Sequence, residues 1–132
     1  MIDPDLCKDV SFLVVDDQIH MNELVDMVVS SLGARAVVRV DGGLKALEAI
    51  ATKVPDILIT DLNMDDLDGL ALARAVRAMP EPARSIHIIM VTGRHGDDVE
   101  RAAMTAGIDV FITKPIWTKR LFTALEDFVK RR

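Results

Sequence analysis

Residues 57–61 of this chain, Ile-Leu-Ile-Thr-Asp, form an apolar run that ends on a carboxylate. Pro55 and Asp56 precede the run, and the polar segment 61–69, Asp-Leu-Asn-Met-Asp-Asp-Leu-Asp-Gly, follows it. Short apolar runs bounded by turn formers are typical of strands buried on both faces of a parallel sheet. Ligands of open α/β sheets bind beyond the C-terminal ends of such strands, so Asp61 is the first candidate functional residue.

The same pattern recurs along the chain, with apolar runs alternating with segments of helical periodicity. Besides the run that ends at Asp61, strands are predicted at 11–15, 36–40, 86–91 and 109–113, and a helix is predicted after each of the five strands. Strict alternation with short connections predicts parallel strands joined by right-handed crossovers. The predicted fold class is therefore α/β, a three-layer α/β/α sandwich.

The apolar positions of the first two helices predict which faces are buried. In the first helix, 18–32, the predicted buried residues are Met21, Leu24, Val25, Val28, Val29 and Leu32, with Asn22, Glu23, Asp26 and Ser30 on the opposite side. In the second helix, the predicted buried residues are Leu44, Leu47 and Ala51. Asp68 is predicted to cap the third helix.

Length and composition limit the function classes that remain. A chain of 132 residues with 50% hydrophobic residues is one domain, predicted at 11–130 after a short polar N-terminal preface, 1–10. The net charge of -5 argues against direct nucleic-acid binding. The single cysteine, Cys7, allows no internal disulfide and is expected to be incidental. The absence of a membrane-length apolar run or signal-peptide pattern predicts no membrane insertion and a cytoplasmic protein.

Five polar residues stand at the predicted C-terminal ends of strands: Asp16 and Asp17 after the first, Asp61, Thr92 and Lys114 after the third, fourth and fifth. In a parallel sheet these ends share one edge, so we expect the five side chains to converge. Three clustered carboxylates beside one lysine need a cation, and oxygen ligands favour Mg²⁺. A site neutralised in this way can receive a phosphoryl group, with Asp61 as the nucleophile.

These residues resemble the conserved set of bacterial two-component response-regulator receiver domains of the CheY-like type, and the resemblance covers residues 11–130. It implies a flavodoxin-like (βα)5 fold with strand order 2-1-3-4-5. It also implies that Asp61 is the phosphoacceptor, that Asp17 and Asp61 bind Mg²⁺ directly, that Asp16 acts through a water, and that Asn63 contributes its backbone carbonyl.

The resemblance assigns further roles around this site. Thr92 would bind one phosphoryl oxygen as the switch hydroxyl, and Lys114 would pair with another. Phe111 would be the switch aromatic that follows Thr92 inward, while Asn63 and Arg94 would tune the lifetime of the phosphoryl group.

Other implications of the resemblance concern the neighbouring backbone and the partners. Gly93 would leave room for the phosphoryl group, and the Lys114-Pro115 bond would be cis. The implied partners are a sensor histidine kinase or histidine phosphotransfer protein and an unknown downstream protein. The chain would not be an enzyme in the usual sense, although it would assist its own phosphorylation and dephosphorylation.

Two positions depart from the family pattern. Met64 is followed by Asp65, where proline is common, so the acidic loop is expected to be more mobile. Trp117 stands where the last helix usually has a small capping residue, so Thr118 is expected to cap that helix. Trp117 either packs on the last helix or, if exposed near the site, anchors a partner.

Alternative functions remain open at this point. A flavodoxin-type cofactor binder is disfavoured because Asp16 and Asp17 would repel a phosphate after the first strand. A Mg²⁺-dependent phosphohydrolase would need an acid where Asn63 stands, and a cap over its substrate. A receiver-like interaction module that works without phosphorylation, or the receiver part of a longer regulator, is compatible with the sequence.

Overall fold

The protein is described by a computed structural model that covers residues 3–115 and 117–132. The strands are β1 (Ser11–Val15), β2 (Ala36–Val40), β3 (Ile57–Thr60), β4 (His87–Thr92) and β5 (Val110–Thr113); the helices are α1 (Ile19–Ser31), α2 (Gly43–Thr52), α3 (Gly69–Arg77), α4 (Asp97–Ala106) and α5 (Trp117–Arg131). The predicted order of strands and helices is confirmed. A short 3₁₀ helix, Ala83–Ser85, precedes β4 and was not predicted from the sequence.

The five strands form one parallel sheet in the order β2-β1-β3-β4-β5, which confirms the predicted topology. The central strand, β3, is buried along its whole length, whereas the edge strand β2 is partly exposed. An apolar run without alternation is what a strand covered on both faces requires, because side chains on both sides meet a helix layer.

Alternate side chains of the strands supply two separate apolar layers. Phe12, Val14, Ile57 and Ile59 pack with the buried faces of α1 and α5 on one side of the sheet. Leu13, Leu58, Ile88 and Met90 pack with α2, α3 and α4 on the other side. The helices therefore cover both faces, and the predicted three-layer sandwich is confirmed.

The buried face of α1 differs from the predicted one. Leu24 is 45% exposed, whereas Asn22, predicted on the polar side, is 6% exposed. Met21, Val25 and Val29 are buried as predicted. The helix face that packs on the sheet is centred near Val25 and includes Asn22. Asn22 can be buried there because its side-chain amide has hydrogen-bond partners at the end of β1, which offset the cost of burying it.

The prediction for α2 was also wrong in part. Leu44 is 55% exposed and Ala51 is exposed, while Ala46 and Ile50 form the buried face and Leu47 is half-buried. Two apolar stripes are available on this helix, and the smaller Ala46 side chain allows α2 to approach the sheet closely.

The N-terminal segment is part of the core packing and not merely a polar preface. Cys7 is fully buried and Val10 is buried in the layer under α1 and α5. The Cys7 amide donates a hydrogen bond to the carbonyl of Leu32, 2.8 Å away. The expectation that Cys7 is incidental is therefore wrong, since its side chain is part of that buried layer.

Several local predictions can be compared with the structure. The Lys114-Pro115 bond is cis as predicted. Asp68 caps α3 by accepting a hydrogen bond from the Ala71 amide. The prediction for Thr118 is wrong because α5 begins at Trp117; the preceding residue, 116, lies outside the described part of the chain. Within residues 3–115 and 117–132, no helix has the length and apolarity that a bilayer crossing requires.

Candidate functional site

The C-terminal ends of the three central strands lie side by side. Val15 of β1 is in register with Thr60 of β3, so the residues that follow them, Asp16 and Asp61, are neighbours. The ladder continues past the strand ends, because the Asp61 amide donates to the Val15 carbonyl at 3.2 Å. The sequence-predicted acids of β1 and β3 are thus placed by backbone hydrogen bonds.

Thr92 and Lys114 join the same edge from β4 and β5. Thr92 is the last residue of β4 and is fully buried. The Lys114 amide donates to the Thr92 carbonyl at 2.9 Å, which fixes the start of the Lys114 segment against the end of β4. The sheet therefore brings together four of the residues predicted from strand ends.

Asp16 is a buried carboxylate with one clear hydrogen bond. It is 5% exposed, and its Oδ1 accepts from the Gln18 amide at 2.9 Å. Burial raises its pKa to about 6, and the negative charges of Asp61 and Asp17 act in the same direction. The Gln18 amide and the positive charge of Lys114 only partly oppose this effect.

Asp61 has a similar environment. It is 8% exposed, and its Oδ1 accepts from the Leu62 amide at 2.7 Å. Burial raises its pKa above the ordinary value; the Leu62 amide and the charge of Lys114 lower it, and Asp17 raises it. Burial disfavours the charged form of both acids, and neighbouring aspartates add to this effect, so a positive charge at this edge of the sheet would favour their ionisation.

The donor atoms at this edge of the sheet are of the kind that binds Mg²⁺. Asp16, Asp17, Asp61 and the Asn63 carbonyl offer only oxygen, which is the donor set that Mg²⁺ prefers. Asp17 is exposed, in contrast to the other two acids. Across the described residues, no group of three or more histidine, cysteine, aspartate or glutamate side chains forms a ready metal cluster. The donor chemistry of these residues fits the ion.

The surroundings of Thr92 leave space beside the acids. Its Oγ1 accepts from the Arg94 amide at 3.2 Å, and Arg94 itself is exposed. A Cβ placed on Gly93 would meet no atom within 4 Å. Lys114 is half-buried and makes no ion pair within 4 Å in the described part of the chain, so its ammonium acts on the acids at longer range.

The two aromatic candidates have different environments. Phe111 is half-buried, packs against the layer under α3 and α4, and lines a groove of about 470 Å³ beside α5. Trp117 is 8% exposed and belongs to the layer under α1 and α5. Trp117 therefore packs on the last helix, and the prediction of a partner-binding tryptophan is wrong because its indole lacks exposed surface.

Asn22 is a site residue that the sequence reasoning missed. Its Nδ2 donates to the carbonyl of Asp16 at 3.3 Å and to that of Val40 at 2.9 Å. Its buried Oδ1 has no partner among the described residues. Asn22 lies three and seven residues before Val25 and Val29, on their stripe of the helix, and this spacing is the sequence signal that could have placed it.

Gly69 is a second missed residue, the first of α3. Its amide donates to the Leu62 carbonyl at 2.8 Å. A Cβ at this position would overlap the Asp61 carbonyl oxygen and lie 2.7 Å from the Met90 methyl carbon. Only glycine lets α3 begin this close to Asp61, the phosphoacceptor candidate. In the sequence, the Asp-Gly pair at 68–69 indicated the start of a helix but not this close contact with Asp61.

Known proteins share both the sequence and the fold. The family model for the response regulator receiver domain matches residues 12–126. Chemotaxis protein CheY1 of Helicobacter pylori (strain J99) is 36% identical over 115 residues, which cover 86% of this chain and 92% of that protein. Chemotaxis protein CheY of Pseudomonas aeruginosa is 31% identical over 119 residues, or 90% of this chain and 95% of that protein.

A solved structure extends the comparison to three dimensions. The signal receiver domain of a signal transduction histidine kinase from Syntrophus aciditrophicus superposes with a TM-score of 0.80 at 28% sequence identity. The match covers 93% of this chain and 94% of that one. The family match and the fold match therefore extend over the same residues that form the acidic site.

Proposed function

This chain belongs to the response regulator receiver domain family of two-component signalling, and we propose that Asp61 is the residue on which it receives a phosphoryl group. The observation that supports this most is the buried position of Asp61 at the end of β3, next to Asp16 and in register with it. The Leu62 amide holds one carboxylate oxygen, so the group is oriented before a donor arrives.

Receiver domains generally bind Mg²⁺ at their acidic site, and the oxygen donors present here suit that ion. We assign Asp17 and Asp61 as direct ligands, Asp16 as a ligand through water, and the Asn63 carbonyl as the remaining protein donor. When bound, the ion spreads the negative charge that develops on the transferring group. The raised pKa values of Asp16 and Asp61 support this assignment because both acids gain from a nearby cation.

Thr92 and Lys114 would bind the phosphoryl oxygens of the product. Thr92 is buried with its hydroxyl held by the Arg94 amide, and Lys114 already lowers the pKa of Asp61. Gly93 leaves the approach open. Asn63 and Arg94 are exposed beside this approach, which fits the proposal that they tune phosphoryl lifetime.

The phosphoryl donor would be a sensor histidine kinase or a histidine phosphotransfer protein, since CheY-like receivers interact with such kinases and with downstream effectors. Phosphoryl capture would draw Thr92 inward, Phe111 would follow, and the surface formed by α4, β5 and α5 would change its affinity for a downstream protein. The half-buried position of Phe111 at the groove beside α5 supports this coupling, because a shift of Phe111 would alter that surface.

The test is intact mass after incubation with Mg²⁺ and a small acyl or amidate phosphodonor. We expect one phosphoryl adduct on the parent protein and none on Asp61→Asn or in the presence of a chelator. A folded parent protein that gains no adduct would contradict the proposal and favour a receiver-like module that works without phosphorylation.

A further inference from the structure

The loop between β3 and α3, residues 61–68, is joined to the N-terminus of α2 by one side chain. The Oδ1 atom of Asp66 accepts from the Gly43 amide at 3.1 Å, and its Oδ2 accepts from the Leu44 amide at 3.1 Å. Oδ1 also accepts from the Leu67 amide at 2.7 Å within the loop. One exposed carboxylate therefore connects two segments that lie more than 20 residues apart in sequence.

This carboxylate serves as the missing cap of α2. The residue at the N-cap position, Gly42, has no side chain that could cap, and the first turn of α2 contains no acid. The first amides of a helix have no partner within the helix and favour a nearby negative charge. The Leu44, Gly43 and Leu67 amides hold the pKa of Asp66 below its ordinary value, as expected for a charged cap.

Two glycines make this contact possible: Gly42 at the N-cap position and Gly43, the first residue of α2. A Cβ on Gly42 would lie 2.7 Å from Oδ2 of Asp66. A Cβ on Gly43 would lie 2.7 Å from the Leu67 carbonyl oxygen and 2.8 Å from the Leu67 Cβ. The start of α2 therefore packs directly against the β3–α3 loop, with no room for side chains at Gly42 and Gly43.

The loop has other contacts at its two ends and at Met64 and Leu67, which pack with the layer under α2, α3 and α4. Its first residue, Asp61, is hydrogen-bonded to β1, and the Leu62 carbonyl accepts from the Gly69 amide. Between these ends only the Met64 side chain is buried, while Asn63 and Asp65 are exposed. The acidic loop, which is predicted to be more mobile, is joined to α2 by one of its acids.

We propose that Asp66 is a positioning residue for the phosphoryl-accepting site, holding the β3–α3 loop so that the Asn63 carbonyl is presented to Mg²⁺ beside Asp61. The proposal rests on the proposed function of this site. Asp66 touches neither the metal nor the phosphoryl group in this scheme, since its carboxylate is engaged by backbone amides. Removal of the Asp66 carboxylate would release the loop from α2. Mg²⁺ binding would then weaken because the Asn63 backbone carbonyl would be held less firmly.

The experiment compares Asp66→Ala and Asp66→Asn with Asp65→Ala. Asp65 is the matched control because it is a neighbouring exposed acid whose carboxylate makes no hydrogen bond or ion pair among the described residues, so its removal changes the charge equally. Three quantities are measured on the folded full chain: amide exchange of Gly43 and Leu44 by NMR, the Mg²⁺ dissociation constant, and the phosphorylation rate as a function of Mg²⁺ concentration.

We expect Asp66→Ala to accelerate exchange of both amides and to weaken Mg²⁺ binding by no more than about two- to thirtyfold, the range in which loss of a helix cap changes an equilibrium constant. The maximal phosphorylation rate at saturating Mg²⁺ should change less than the Mg²⁺ requirement. Asp66→Asn should be intermediate, because an amide oxygen can replace Oδ1 toward Gly43 and Leu67 while its NH2 faces the Leu44 amide.

A second variant approaches the contact from the other side. Gly43→Ala would normally favour a helix, but its methyl group would push on Leu67. We expect the same loss of Mg²⁺ affinity, and no further loss when it is combined with Asp66→Ala.

The outcomes separate this proposal from the proposed function. Mg²⁺ affinity equal in Asp66→Ala and Asp65→Ala would overturn the role of Asp66, even if Asp66→Ala unfolded at a lower temperature. If the Gly43 and Leu44 amides of Asp66→Ala exchanged at the parent rate, the role of Asp66 would also be overturned, whether or not the protein is phosphorylated. A parent protein that binds Mg²⁺ through Asp66-dependent geometry but gains no phosphoryl group would contradict only the proposed function.

Discussion

At the scale of single residues, Asp16 differs strongly from a free aspartate. Burial penalises its charged form more than the Gln18 amide favours it, and Asp61 adds negative charge nearby. Its pKa is raised from 3.8 to about 6. Because the folded protein binds this proton more tightly than the unfolded chain, ionisation of Asp16 lowers the free energy of unfolding as the pH rises from the lower value through the higher one.

This difference predicts how the metal-free protein responds to pH. The contribution of Asp16 to the free energy of unfolding should be fully present below about pH 4 and should be lost as the pH rises through about 6. Asp16→Asn stays neutral, so its advantage over the parent should grow across this window to about 1–3 kcal/mol, since one pKa unit corresponds to about 1.4 kcal/mol. Urea denaturation from pH 4 to 7 without divalent ions measures the difference. Parallel pH profiles for the two proteins would show that Asp16 ionises normally.

At the scale of elements, the start of α3 decides where Asp61 sits. Asp68 caps the helix through the Ala71 amide at 2.8 Å, and the Gly69 amide bonds to the Leu62 carbonyl. Because Gly69 has no side chain, the Asp61 carbonyl oxygen can lie close to its Cα. The helix and the end of β3 are therefore one packed unit, and a change in either moves the other.

Two glycine substitutions should differ in their effect on stability, one being destabilising and the other nearly neutral. We expect Gly69→Ala to destabilise the protein by about 1–3 kcal/mol, as overpacking does in a tight interior, because its methyl group would overlap backbone. Gly93→Ala is the matched control, and its free energy of unfolding should stay within about 0.5 kcal/mol of the parent, since its Cβ would meet open space. Thermal and urea denaturation would check both. Equal stability of the two variants would mean that α3 can shift away from Asp61 at little cost.

At the scale of the whole molecule, two apolar layers enclose the sheet, and the N-terminal segment closes one of them. Cys7 is fully buried among residues of β1, α1 and α5. Burial, with a smaller effect of Asp3, raises the pKa of its thiol to about 11. The thiol is thus neither accessible nor ionised near neutral pH, and it can react only when the protein opens.

Cys7 should therefore report on opening of the folded protein. Labelling by a thiol-specific disulfide reagent should be on the order of a thousandfold slower in native buffer than in denaturant, because a domain of ordinary stability is open for only a small fraction of the time. The labelling rate should rise with urea in step with global unfolding. Fast labelling in native buffer, while far-UV circular dichroism is unchanged, would show that residues 3–10 open independently of the rest.

Patterns local in sequence determined the strands, the helices and the candidate acids. The run that ends at Asp61 is apolar on both of its faces, which only a covered central strand requires, and the residues after each strand must share one edge of a parallel sheet. Asp61, Thr92 and Lys114 could be placed in this way because each lies at the C-terminal end of a strand, either as its last residue or directly after it. The chemical roles of these three residues came from the family resemblance, because a hydrophobicity pattern can place a residue but cannot indicate its chemistry.

Only the tertiary structure decided which side chains meet across these elements. Helix periodicity allowed Leu24 as readily as Asn22 to face inward, and the partners of Asn22 at the ends of β1 and β2 settled the choice. Likewise, Asp66 caps a helix that begins 23 residues before it in sequence, and Cys7 packs in the apolar layer under α1 and α5. These contacts depend on the distance between segments after folding, and that distance is set by the packing of the whole sheet.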